Sequence, residues 1–179
     1  MLTPSPWLMS DETGEPFRHC VYCRLPLLEI DAPWLVTKEY RMGECILEYA
    51  VCKPCRAAVS DGFSEESKAA VRSFLETRID SAARTAEFMM DPTLETRMGS
   101  CIACRTPRSQ MHGFGISALF DSGGYLVEGL LPLLLCENCT RELSTRLSPD
   151  SVVKWRTALM QHLDGPPNNI EDLPGPGYL

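Results

Sequence analysis

The sequence predicts an α+β fold made of two small tandem units of one plan, and three observations carry that expectation. The first is four Cys-x-x-Cys pairs: Cys20/Cys23 with Cys52/Cys55, then Cys101/Cys104 with Cys136/Cys139, the pairs of each set being 28 and 31 residues apart. Two residues between cysteines let both sulfurs turn inward on one tight knuckle, and two knuckles supply the four thiolates of a tetrahedral zinc site. The second is an internal repeat. A shift of 81 residues lays Cys20–Pro26 on Cys101–Pro107, and a shift of 84 lays Cys52–Ile79 on Cys136–Leu163 without a gap, matching Ser60/Ser144, Ser64/Ser148, Ser67/Ser151 and Arg72/Arg156. The third is size. A unit of about 65 residues is marginal on its hydrophobic core alone, and a structural metal commonly supplies the deficit.

Each element follows from local pattern. Residues 1–16 hold three prolines and Trp7 without periodicity and read as a flexible N-terminal tail. Residues 17–80 form the first unit. Trp34–Tyr40 is β-branched and aromatic, Arg41–Glu44 holds a turn glycine, and Cys45–Val51 returns as a second strand into the second knuckle. A helix opening at Cys52 puts the metal near its N-terminus, where the macrodipole favours thiolates. Ser64 then caps a longer helix whose Val71, Phe74, Leu75 and Ile79 recur at helical spacing. Residues 81–97 are a helical linker: Ser81–Met90 continues that helix, and Asp91-Pro92 ends it.

Residues 98–163 repeat the plan. Gly115–Phe120, the turn Asp121–Gly124 and Tyr125–Leu131 make the hairpin, with Pro132 restricting its last stretch to an edge. A helix opens at Cys136. Ser148-Pro149-Asp150 starts the next, with Val152, Trp155, Leu159 and Leu163 along one face. Three extra residues fall in the middle of this copy, within the Leu126–Leu135 run, which is more apolar than one small unit easily buries and is expected to meet a surface beyond the chain. Residues 164–179 form a Pro/Gly-rich C-terminal tail carrying Ile170, Leu173, Tyr178 and Leu179.

Knuckle, β-hairpin, second knuckle opening a helix is the order of treble-clef zinc fingers, which residues 17–80 and 98–163 each resemble; a zinc ribbon is the nearest competitor. The resemblance is to a fold group. Treble clefs often carry glycine just after the first knuckle, where the backbone takes positive φ. Arg24 and Arg105 stand there instead, and a departure in local geometry is expected. The group includes nucleic-acid binders, ubiquitin-system components, nucleases and scaffolds, so it decides little about function.

Charge and composition narrow the classes. The chain of 179 residues carries net −7, with 10 basic and 14 acidic residues over 1–90 against 7 and 10 over 91–179. Two four-thiolate zinc sites lower that to about −11. The electrostatic footprint of a nucleic-acid binder is missing, leaving only local arginines near the sites: Arg18, Arg24, Arg41 and Arg56, then Arg105, Arg108 and Arg141. No N-terminal basic-then-apolar stretch marks a signal peptide, and no apolar run reaches the ~20 residues of a membrane span, so the expected location is the cytoplasm and no membrane partner is expected.

The candidate metal ligands are the eight paired cysteines, binding two Zn2+ per chain, and no catalytic residue is assigned. Cys52-Lys-Pro-Cys55 looks like a redox motif, but Cys136-Glu-Asn-Cys139 lacks the proline and no strand–helix–strand context surrounds either. His19, His112 and His162 are isolated, and Cys45 stands outside both sets as a small strand residue. The expected function is a non-enzymatic zinc protein whose partner is another protein or a second copy of itself. The alternatives are a nucleic-acid-associated regulator using a local arginine patch and, last, a thiol–disulfide redox protein.

Overall fold

The computed structural model describes residues 5–162. Five antiparallel strands share one sheet: β1 (Trp34–Arg41), β2 (Glu44–Cys52), β3 (Gly113–Phe120), β4 (Leu126–Val127) and β5 (Leu133–Cys136). The order is β2-β1-β3, with β4 and β5 both on the far edge of β3. The two hairpins are therefore not separate bodies. Strand β1 pairs with β3 from Trp34↔Phe120 to Arg41↔Gly113, and it is buried along all but its last residue. Aromatic partners lock both ends of this seam: Trp34 stacks on Phe120 with ring centroids 5.9 Å apart, and Tyr40 on Phe114 at 5.1 Å. The β1–β2 turn has positive φ at both central residues, Met42 at 52° and Gly43 at 85°, the twist that matches a two-residue hairpin.

The apolar run of the second half is mostly core. Leu133, Leu134 and Leu135 are buried in β5, while Val127 and Leu130, each 38% exposed, face solvent. The expectation that this run serves a surface beyond the chain is thereby corrected: sheet fusion makes β3 an interior strand, and β5 is the buried strand beside it. The extra residues form an excursion. Between Ser117↔Leu133 and Leu119↔Val127, the single β3 residue Ala118 stands opposite Glu128–Pro132.

The linker holds that excursion. The first long helix does not continue through it. Helix α2 (Glu65–Arg78) ends at Ile79, and Asp80 caps a separate helix α3 (Ser81–Met90) by accepting from the Ala83 N–H at 2.9 Å. From α3, buried Arg84 donates to the carbonyls of Arg97 (3.0 Å) and Pro132 (2.5 Å). Arg97, ending the short helix α4 (Leu94–Arg97), donates to the carbonyls of Gly129 and Leu131 and lies 4.6 Å from the Phe88 ring centroid. Met89 and Met90 stay exposed.

The N-terminal segment is not a free tail over its described part. Leu8 is buried, Trp7 packs edge-on against Tyr40, and the Trp7 indole donates to Glu95 at 2.8 Å. The anchor is Lys38, whose side chain is fully buried in β1. Its ammonium reaches the Met9 carbonyl and Asp11 Oδ1, each at 2.6 Å, with Glu48 at 3.5 Å. A buried charge is tolerable only when paired and hydrogen-bonded, and residues 9–11 supply that partner. The C-terminal tail assigned to 164–179 lies outside the described residues. No helix among those described is long and apolar enough to cross a membrane.

Helices are exchanged between the halves. Helix α1 (Lys53–Asp61) packs against α6 (Pro149–Met160), while α2 packs against α5 (Glu137–Thr145). Each knuckle helix is thus covered by the long helix of the other half. At the crossing, four serines trade caps. Ser64 and Ser148 cap their own helices by accepting from the Ser67 and Ser151 N–H groups. The Ser64 N–H in turn donates to Ser151 Oγ at 3.0 Å, and the Ser148 N–H to Ser67 Oγ at 2.9 Å. Ser67 and Ser151 are fully buried. The repeated serines noted in the sequence are therefore reciprocal capping groups.

Candidate metal centres

Each first knuckle is a closed backbone turn. The Arg24 N–H donates to the Cys20 carbonyl and the Arg105 N–H to that of Cys101, both at 2.9 Å. Cys20 and Cys101 donate in turn to Leu25 (3.0 Å) and Thr106 (2.9 Å). Arg24 and Arg105 take φ of 61° and 62°, so the positive-φ geometry is present without glycine, and the expected departure does not occur. A side chain in this region costs about 1 kcal/mol. Both arginines use theirs: Arg24 donates to the His162 carbonyl at 2.8 Å, and Arg105 pairs with Glu87 at 2.8 Å.

The knuckles are tied to the sheet edges. Val21 donates to the Ala50 carbonyl on β2 and Ile102 to the Leu134 carbonyl on β5, both at 2.8 Å. These bonds bring Cys20/Cys23 to the end of β2 and Cys101/Cys104 to the end of β5. There Cys52 and Cys136, both in extended backbone, serve as the residues before α1 and α5. Cys55 and Cys139 follow within the first helical turn. All eight predicted ligands are thereby gathered into two clusters, Cys20/Cys23/Cys52/Cys55 and Cys101/Cys104/Cys136/Cys139. Within each, the sulfurs all lie within 4.8 Å of one another.

The donor sets fit zinc. A tetrahedron with Zn–S near 2.3 Å has sulfur–sulfur edges of about 3.8 Å. Cys23 Sγ is 3.9 Å from Cys52 Sγ, and Cys104 Sγ is 3.6 Å from Cys136 Sγ, far beyond a disulfide bond. The geometry is compatible with two zinc ions per chain, one in each set of four thiolates.

The thiols also show why a cation belongs there. Burial pushes Cys55 and Cys139 well above the usual thiol range, aided by neighbouring cysteines, and pushes Cys136 up to about 11. Four thiolates cannot share so small a volume uncompensated. Burial also raises Cys20 and Cys104, but hydrogen bonds outweigh it. N–H groups of Cys52, Cys23 and Tyr22 bring Cys20 down to about 7, and Thr106, through its hydroxyl and its N–H, brings Cys104 to about 6. The matching bonds Cys52 N–H to Cys20 Sγ and Cys136 N–H to Cys101 Sγ, both 3.4 Å, orient one ligand in each set.

The remaining candidates stay outside the clusters. Cys45 is half-buried, and burial beside Glu48 raises its thiol to about 12, which leaves it unreactive. Besides Arg24 and Arg105, three of the arginines near the sites are engaged within the chain: Arg18 with Glu15, Arg108 with Glu95 and the Trp7 ring, Arg141 with Glu137. The burial of Lys38 and the exchange of caps through Ser67 and Ser151 escaped sequence reasoning. The matched serine spacing was the only signal for the latter, and Lys38 gave none. No protein-family model, curated protein or solved structure matches this chain.

Proposed function

We propose that the chain is a non-catalytic zinc protein, a tandem duplication of a treble-clef-like unit, that presents a surface to another protein. The observation that carries the reading is saturation of both centres: each metal would have four cysteine ligands, whereas catalytic zinc keeps a position open for water or substrate. The metals then serve to close the knuckles on the sheet and to fix the helices that leave it.

Protein is preferred to nucleic acid as partner because five of the local arginines expected to form a patch, Arg18, Arg24, Arg105, Arg108 and Arg141, are spent on acids and carbonyls of the chain itself. A candidate contact surface lies where the halves meet. Leu28 of the first half packs against Gly124 in the second hairpin turn, and Leu28 and the adjacent Tyr125 are 69% and 70% exposed. Exposed apolar residues joined across a fold seam suit a protein contact.

The test uses the zinc-loaded chain as bait in lysate of the native organism, beside a Leu28→Asp/Tyr125→Asp bait of equal zinc content. A specific protein retained by the first and lost by the second is expected. Identical captured sets, or a salt-sensitive complex with mixed DNA or RNA near physiological salt, would overturn the reading.

A further inference from the structure

The two metal centres have matching ligands but unequal cover. Where α2 meets α5, Phe74 is fully buried and the Arg146 guanidinium lies 5.7 Å from its ring centroid. The 84-residue correspondence puts Ala158 and Gly62 at those two positions where α6 meets α1. Without the ring and the guanidinium an open groove of about 350 Å³ remains, lined by Tyr22, Cys55, Ala58, Val59 and Ala158 among others. The consequence falls on the ligands. Helix α5 buries Cys139, Thr140 and Leu143, and Cys139 is only 3% exposed. No residue of α1 is buried, and its Cys55 is half-buried in the groove wall. A small molecule can therefore approach a ligand of the first centre whose counterpart in the second is sealed.

A second difference lies on the first knuckles. Cys23 and Cys104 are both exposed, so access does not separate them. The Thr106 hydroxyl, however, lies 3.1 Å from Cys104 Sγ. A thiolate only accepts, so the hydroxyl donates and draws off part of the sulfur's charge. The 81-residue correspondence puts Leu25 in that place beside Cys23, and its side chain donates nothing. Oxidation of a thiolate follows its exposure and its nucleophilicity, and both favour the first centre.

We propose that the first centre is a peroxide-reactive site, entered at Cys55 through the α1–α6 groove, and that the second is the inert structural one. The Cys55 thiolate attacks one peroxide oxygen; the O–O bond breaks, and hydroxide leaves and takes up a proton as water. A second thiolate of the set, its sulfur within 4.8 Å, attacks the resulting sulfenic sulfur. The S–S bond forms, the S–O bond breaks, and the second oxygen also leaves as hydroxide and becomes water. Two thiolates have lost two electrons and peroxide has gained them. With two of its four ligands consumed, the centre no longer holds its ion. This inference rests on both centres binding zinc and not on the partner reading above.

The experiment treats the full chain, first assayed for zinc, with hydrogen peroxide beside a colorimetric zinc chelator. Cysteines are mapped by differential alkylation and mass spectrometry as the ions leave. One ion should be released about tenfold faster than the other, with Cys55 in a disulfide inside its own set and Cys101, Cys104, Cys136 and Cys139 recovered as thiols. Ala158→Phe, which fills the groove as Phe74 fills the other crossing, should slow the first release about fivefold. Should that variant purify without zinc, Ala58→Leu narrows the groove from the α1 side and carries the same test. Equal release of both ions overturns the proposal, as does oxidation that begins in the second set. So does a rate unchanged by a groove-filling variant that holds both ions. A starting content below two zinc per chain refutes the metal reading, and this inference with it.

Discussion

Replacing Ser67 with alanine removes one half of the cap exchange between the two long helices. The hydroxyl accepts the Ser148 N–H at 2.9 Å and touches Ser64 Oγ at 3.0 Å and Ser148 Oγ at 3.2 Å, in a fully buried position. Leaving the half-buried Ser148 N–H unpaired costs about 1–3 kcal/mol, and the lost hydroxyl bonds add about 1 kcal/mol. Alanine's better helix propensity returns about 0.5 kcal/mol. A net loss of about 2 kcal/mol is expected, equivalent to roughly 4–8 °C in Tm for a chain this long. Ser151→Ala should cost a similar amount, because its hydroxyl plays the mirrored part for the Ser64 N–H at 3.0 Å. The double variant should lose less than the sum of the two, since both hydroxyls belong to one network. The assay is urea unfolding at fixed free zinc, with Ser73→Ala on the exposed face of α2 as a control expected within about 0.5 kcal/mol of the parent. A Ser67→Ala loss no larger than the control's, or strict additivity of the pair, refutes the shared cap.

Two further outcomes follow from the sites. Elemental analysis should give about two zinc per chain and about one in Cys20→Ser or Cys101→Ser, and complete chelation should unfold the sheet, because site formation and folding are coupled. A folded zinc-free chain would refute that coupling. Glu39, almost wholly buried in β1, has its carboxyl raised to about 8 by burial, which the Arg41 charge only partly offsets. A carboxyl raised on folding binds more protons in the native than in the unfolded chain between about pH 4.5 and 8, so its contribution falls across that window, by about 5 kcal/mol in all. Glu39→Gln should therefore gain stability over the parent as pH rises from 5 to 8.5; a gap that stays constant with pH counts against this.

The sequence by itself determined the ligand sets, the first hairpin and the helix caps, but not the break between α2 and α3 or the split of the second hairpin's return into β4 and β5. These depend on residues close in the chain: two-residue spacing forms a knuckle, alternation forms a strand, and serine before an apolar stripe starts a helix. It also carried the helical stripes, whose Val71, Phe74, Trp155 and Leu159 are buried. Only the tertiary structure decided how the halves combine. Pairing of β1 with β3 joins residues about 80 apart, and neither strand's own pattern distinguishes an edge from an interior place in the sheet. That choice turned Leu133–Leu135 into core, where the sequence pointed to an outward face. It also left Lys38 buried, so that residues 9–11 became its partners and the apparent tail became part of the fold. The serines were legible as caps to their own helices. Their exchange was not, because the geometry of a crossing is set by packing, and packing is a property of both halves at once.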